Sequence, residues 1–215
     1  MKDRLNIPVG ISDFKKIREN GYYYVDKSGL LKELLKRESA EVTLITRPRR
    51  FGKTMGMSML AHFLDIRFDN KKLFDGLEIA KDETLCNAWM NQCPVVFLTL
   101  KDIDGLTFED AYERLAVQIS NLYKEHAYLL ENEKMDLDDR QLFKDLKSGN
   151  SGKIQVGQSL YTLIRLMRDY YGKQVILLLD EYDVPMAKAS SNGYYEQMLD
   201  IMKEIMSTAL KDNAA

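Results

Sequence analysis

Val42-Thr43-Leu44-Ile45-Thr46-Arg47-Pro48-Arg49-Arg50-Phe51-Gly52-Lys53-Thr54 is the stretch that decides the fold. A short apolar run, a basic turn and Gly-Lys-Thr lead into a helical pattern, the order of a strand, a phosphate-binding loop and a helix. The chemistry of such a junction is local. Backbone N–H groups at the start of a helix point at a phosphate and the helix dipole favours its charge. Lys53 can reach the outer phosphates, and the Thr54 hydroxyl is placed to bind a magnesium ion. The tripeptide alone is a weak signal, and Arg47 stands where the full pattern wants a glycine. By itself the junction also fits an ordinary loop-to-helix turn capped by Thr54.

A second run, Val175-Ile176-Leu177-Leu178-Leu179, is continuous and apolar, as in a parallel strand buried on both faces, and it ends in Asp180-Glu181. An acid at the end of such a strand orients a magnesium shell in P-loop enzymes, and a glutamate beside it can take a proton from attacking water. A solvated turn after a core strand is the plainer reading of the pair. Two motifs in the right order, each after an apolar run, favour a nucleotide site, because open α/β sheets bind ligands at the carboxyl ends of their strands.

Ile11-Ser12-Asp13-Phe14, Gly21-Tyr22-Tyr23-Tyr24-Val25-Asp26-Lys27-Ser28, the octapeptide Arg47 to Thr54, and Leu178-Leu179-Asp180-Glu181-Tyr182-Asp183-Val184-Pro185 resemble the AAA-ATPase-like family of bacterial proteins. The similarity runs from about Ile7 to the C-terminus, and the basic octapeptide without its first glycine looks like that family's phosphate loop. The resemblance implies an α/β P-loop NTPase fold, three-layer α/β/α with a mostly parallel sheet, that uses ATP and Mg2+. It implies a phosphate loop of Arg47, Pro48, Arg49, Arg50, Phe51, Gly52, Lys53, Thr54 and Met55, with Lys53 and Glu181 catalytic and Thr54 and Asp180 at the metal. Arg49 or Arg50 adds charge to the γ-phosphate or faces solvent. ATP rather than GTP rests on the resemblance, supported by the lack of an Asn-Lys-x-Asp guanine-reading motif and of an Asp-x-x-Gly after the acidic strand.

Three apolar runs, near 42–46, 94–100 and 175–179, separated by helical patterns, spell a layered α/β sheet. Ser12 is a candidate cap for a first short helix, and Leu30, Leu31, Leu34 and Leu35 give a second one its apolar face. Residues 1–40 read as a helical and aromatic extension. Tyr22, Tyr23 and Tyr24 are expected against the sheet edge, one of them with the alternative of stacking on the base. Met55, Met59, Leu60, Phe63 and Leu64 form a core stripe after the loop, and 68–92 reads as short helices and turns. Thr107 and Asp110 resemble a capping box opening a helix through Phe108, Ala111, Leu115, Ile119 and Leu122. Polar residues 131–157 are the candidate surface insertion within a single domain, 1–215. A helix over about 155–171 stops at Gly172. After Asp183 a loop is expected, then a last helix with Tyr195, Met198, Leu199, Met202, Ile205 and Met206 on one face.

No strand pattern follows Pro185. Judged by the resemblance, the chain is an N-terminal fragment truncated before the sensor strand, without an arginine finger or the restriction-endonuclease-like nuclease domain that family members often carry. It is therefore expected to bind ATP and hydrolyse it weakly. The other reading is a nucleotide-gated interaction switch with little or no hydrolysis. A small-molecule kinase fits less well, because kinases seldom need a water-activating glutamate beside the magnesium aspartate.

At 215 residues, with a net charge of −2 and 30% charged residues, the composition is that of a soluble globular protein. Such a charge gives no footprint for nucleic acid, which would enter only through a nuclease domain elsewhere. No run is long enough to span a membrane and no leader pattern opens the chain, so a cytoplasmic location is expected. Oligomerisation stays open. Cys86 and Cys93 fit no zinc pattern and are expected reduced, and His62 and His126 are isolated.

Overall fold

The structure is a computed structural model that describes residues 6–36, 42–46 and 51–211, with side chains as far as Ser207. The chain divides into two compact units, residues 1–95 and 96–215.

The first unit is helical. It contains α1 (Phe14–Glu19), α2 (Gly29–Leu35), α3 (Lys53–Leu64) and α4 (Glu83–Trp89), with single 3-10 turns at Lys71–Phe74 and Ile79–Lys81. Asp13, not Ser12, caps α1: its carboxylate accepts the N–H of Lys16 at 3.0 Å. The cap must stand immediately before the first helical residue, and that residue is Phe14. Aromatic packing joins the pieces, with the Phe74 ring 5.1 Å from Phe14 and 5.2 Å from Phe63. The Ser58 hydroxyl accepts the N–H of Phe14 at 3.1 Å, which ties α1 to α3. The Arg18 guanidinium donates to the carbonyls of Leu73 and Asp75, both at 2.7 Å, holding the turn at Lys71–Phe74.

The run 42–46 is not a strand. It joins no ladder among the described residues, and Val42 and Leu44 are 63% and 64% exposed. An apolar run becomes a strand only where its backbone groups find partners and one face finds a core. The first unit's only strand-like pairing among the described residues is an isolated parallel bridge, Asp65 with Cys93. Among the described residues of this unit there is no sheet for the tyrosines of 22–24 to pack against. The Tyr24 ring packs edge-on against Phe14 at 5.5 Å instead.

The second unit carries the sheet, two parallel strands, β1 (Val95–Thr99) and β2 (Ile176–Asp180), among helices. The protein is thus α/β with a small parallel sheet and mostly helix. Of the three expected strands, two form. Helix α5 (Phe108–Glu125) opens with the expected capping box: the Asp110 N–H donates to the Thr107 hydroxyl at 3.2 Å, and the Thr107 N–H to the Asp110 carboxylate at 3.3 Å. Residues 131–157 are not a surface insertion. They contain α6 (Leu137–Ser148) and α7 (Lys153–Gly157), whose Phe143, Leu146 and Val156 are buried in the core. Their polar residues mask a sparse apolar stripe, enough to seat α6 on α5.

Helix α8 (Ser159–Tyr171) ends at Gly172, whose φ of 60° supplies the left-handed stop. After β2 the chain forms α9 (Val184–Asn192) where a loop was expected, with Asp183 before it, Pro185 in its first turn and Gly193 as its stop. Helix α10 (Tyr195–Lys211) follows and packs on α8 and α9. Met198, Met202 and Ile205 are core residues, whereas Tyr195 is exposed.

Candidate functional site

Within the octapeptide, Phe51, Gly52, Lys53 and Thr54 are described, and Arg47, Pro48, Arg49 and Arg50 lie outside the described residues. Gly52 has φ 78° and ψ 31° and immediately precedes α3. Glycine takes this left-handed turn without the penalty a Cβ would bring. Gly52 has no side chain to cap the helix, and none caps it among the described residues. The N–H groups of its first turn, which have no intrahelical acceptor, are therefore left for an anion. Lys53, Thr54 and Met55 are half-buried at this turn, and Phe51 is exposed.

A cavity of about 560 Å³ opens beside the loop inside the first unit. Gly52, Lys53 and Met55 line one part of it, and Tyr23, Lys27 and Leu30 another. Tyr24 also borders it, but its hydroxyl donates to the Met59 sulfur at 3.3 Å and burial pushes its phenol up, so it serves packing. Tyr23 is 51% exposed and its backbone N–H is held by the carbonyl of Asn6 at 2.8 Å. Tyr22 does not line the cavity. Lys27 is the residue sequence reasoning passed over: a Cβ built on Gly52 would stand 3.9 Å from its ammonium nitrogen. Nothing in residue spacing signals that approach, although Lys27 lies in a stretch already quoted for its resemblance.

The acidic pair belongs to the second unit. Asp180 is the last residue of β2 and is 4% exposed. Its Oδ2 has no hydrogen-bond partner among the described residues. A buried carboxylate oxygen without a donor is an incomplete shell, and a hard cation is a partner that completes it, so Asp180 fits a magnesium ligand. Glu181 follows with φ 54°, a left-handed conformation that costs a residue with a Cβ roughly 1–2 kcal/mol. Its carbonyl accepts the N–H of Val184 at 3.1 Å, which turns the chain into α9. Strain of this kind at a strand end is a mark of functional sites.

A family model described as "Predicted AAA-ATPase" matches residues 8–215. The chain belongs to the AAA-ATPase-like family. Membership implies use of a nucleotide. An uncharacterized protein in the vnfD 5′ region of Azotobacter chroococcum mcd 1 is 30% identical to this AAA-ATPase-like chain over 184 residues. The match covers 85% of the chain and 30% of that relative, so the chain spans under a third of the relative's length. No solved structure matches. Among the described residues of this family member, no helix is long and apolar enough to cross a membrane.

Proposed function

We propose that this chain is a magnesium-dependent P-loop ATPase domain. The observation that carries the reading is the left-handed Gly52, which opens an uncapped helix beside a cavity lined by Lys53. Lys53 and the loop N–H groups of residues 50–54 hold the phosphates, with Arg47, Pro48, Arg49, Phe51 and Met55 completing the loop. The apolar cavity wall takes the nucleoside, and Tyr23 is the tyrosine available to its base. Thr54 and Asp180 hold the magnesium ion, which when bound neutralises charge on the phosphate oxygens. Glu181 accepts a proton from the water that attacks the γ-phosphorus as the bond to ADP breaks. The orphaned Oδ2 of Asp180 and the strained backbone of Glu181 support those two roles.

Single-turnover assays on the wild type, Lys53→Ala and Glu181→Gln test this. Loss of ATP binding in the lysine variant and retained binding without turnover in the glutamate variant are expected. Identical slow turnover in wild type and Glu181→Gln favours a nucleotide-gated switch. Undiminished ATP affinity in Lys53→Ala overturns the placing of the phosphates at Lys53, and a wild type that binds no ATP overturns the nucleotide reading.

A further inference from the structure

We propose that Lys27 is a second lysine of the phosphate site, contacting the phosphates of a nucleoside di- or triphosphate seated at Gly52; this rests on the nucleotide reading above. Its ammonium nitrogen stands 3.9 Å from the position a Gly52 Cβ would take, and it lines the same cavity as Lys53. The Lys27 ammonium thus stands beside the residue whose backbone turns into α3, and Lys53, the first residue of that helix, lines the same cavity. Neither forms an ion pair among the described residues. The other residues lining the cavity are mainly apolar, with Glu33 the acidic exception.

The backbone on both sides of Lys27 is pinned. The Asp26 carboxylate accepts the N–H of Ser28 at 2.8 Å and that of Glu78 at 2.7 Å. The fully buried Ser28 hydroxyl accepts the N–H of Ile79 at 3.1 Å. Burial pushes the Asp26 carboxyl up, but the N–H groups of Ser28 and Glu78 outweigh it and hold the acid below its ordinary value. Asp26, the acid next to Lys27, is therefore committed to backbone amides. Lys27 is held on a fixed stretch of chain with its charge free for a ligand, and that pre-organisation lowers the ordering cost of binding.

The test is titration calorimetry of ATP, ADP and adenosine on the 215-residue chain, as wild type, Lys27→Met, Lys27→Arg and Lys53→Ala, with a thermal melt of each. Lys27→Met is expected to weaken ATP and ADP by about tenfold, the worth of one charge-assisted hydrogen bond, and to leave adenosine unchanged. Lys27→Arg is expected to recover most of the loss. An unaltered ATP affinity in Lys27→Met, or an adenosine affinity that falls in parallel, overturns the inference. Loss of ATP binding in Lys53→Ala alone removes Lys27 and leaves the nucleotide reading standing, whereas a wild type that binds neither ATP nor ADP removes both. Acetylation footprinting of the wild type is independent of any variant's folding. ADP is expected to protect Lys27 and adenosine is not, and a Lys27 labelled equally with and without ADP overturns the assignment.

Discussion

The backbone carbonyl of Asp180 accepts the N–H of Leu100 at 2.9 Å, so the sheet is held in register to its carboxyl edge. The Asp180 backbone is fixed at that edge by the ladder, while its Oδ2 is buried with no donor among the described residues. A group held in place yet left unsatisfied costs stability in the ligand-free protein. Asp180→Asn, which removes the charge, should raise the stability of the ligand-free chain by about 1 kcal/mol and abolish the extra stabilisation that magnesium adds to ATP. Melting curves with ATP, with and without magnesium, read both effects. A destabilised variant that keeps its magnesium response would contradict the role given to Asp180.

Glu181 is the second residue whose local energetics run against stability. Replacing it with glycine releases the left-handed strain at φ 54° and should stabilise the second unit by about 1 kcal/mol while removing turnover. Glu181→Gln keeps the Cβ and should leave stability unchanged. Urea denaturation of the pair separates backbone relief from lost chemistry.

At Gly52 the sign reverses. Gly52→Ala forces a Cβ onto a residue at φ 78°, at an expected cost of about 1 kcal/mol. Among the described residues the added methyl meets only the Lys27 ammonium, at 3.9 Å, so the expected penalty is conformational. Nucleotide affinity should fall more than the melting temperature does, because the loop amides are re-aimed. A variant with wild-type ATP affinity would show that the turn is dispensable.

The ion pair of Arg165 with Asp139, 2.5 and 2.9 Å between α8 and α6, sets an acid limit on the second unit. The Arg165 hydrogen bonds hold the Asp139 carboxyl below its ordinary value of 3.8. An acid depressed in the folded state binds fewer protons there than in the unfolded chain. Its contribution is therefore complete well above pH 3.8 and disappears as pH falls below that value toward the folded one. Asp139→Asn should cost about 1 kcal/mol at pH 7. Its melting temperature should converge with that of the wild type in acid; curves that stay parallel down to pH 2 would rule the linkage out.

Features carried by a few neighbouring residues were legible in the chain. Thr107 and Asp110 form the capping box their spacing announces, Gly172 stops α8, and Met59, Leu60, Phe63 and Leu64 are buried along α3. The apolar runs at 94–100 and 175–179 pair as strands, and Val96, Leu98 and Leu100 share a buried cluster with residues of α5 and α8. Other expectations failed where the decisive partner was distant. The run 42–46 has strand composition, but a strand is a pairing between segments and the described residues supply no neighbour. Residues 131–157 have surface composition, yet Phe143 and Leu146 are enough to bury α6.

The candidate site divides in the same way. The identities of Gly52, Lys53, Thr54, Asp180 and Glu181, and the helix and strand that carry them, follow from local pattern, because glycine's freedom, helix initiation and strand hydrophobicity are properties of short segments. The approach of Lys27 to Gly52, the commitment of Tyr24 to packing, and the solitary oxygen of Asp180 depend on which residues distant in sequence share a space. Local chemistry named the groups; only the tertiary structure decided which of them are left without partners, because satisfaction of a charge or a hydrogen bond is a property of neighbours in space.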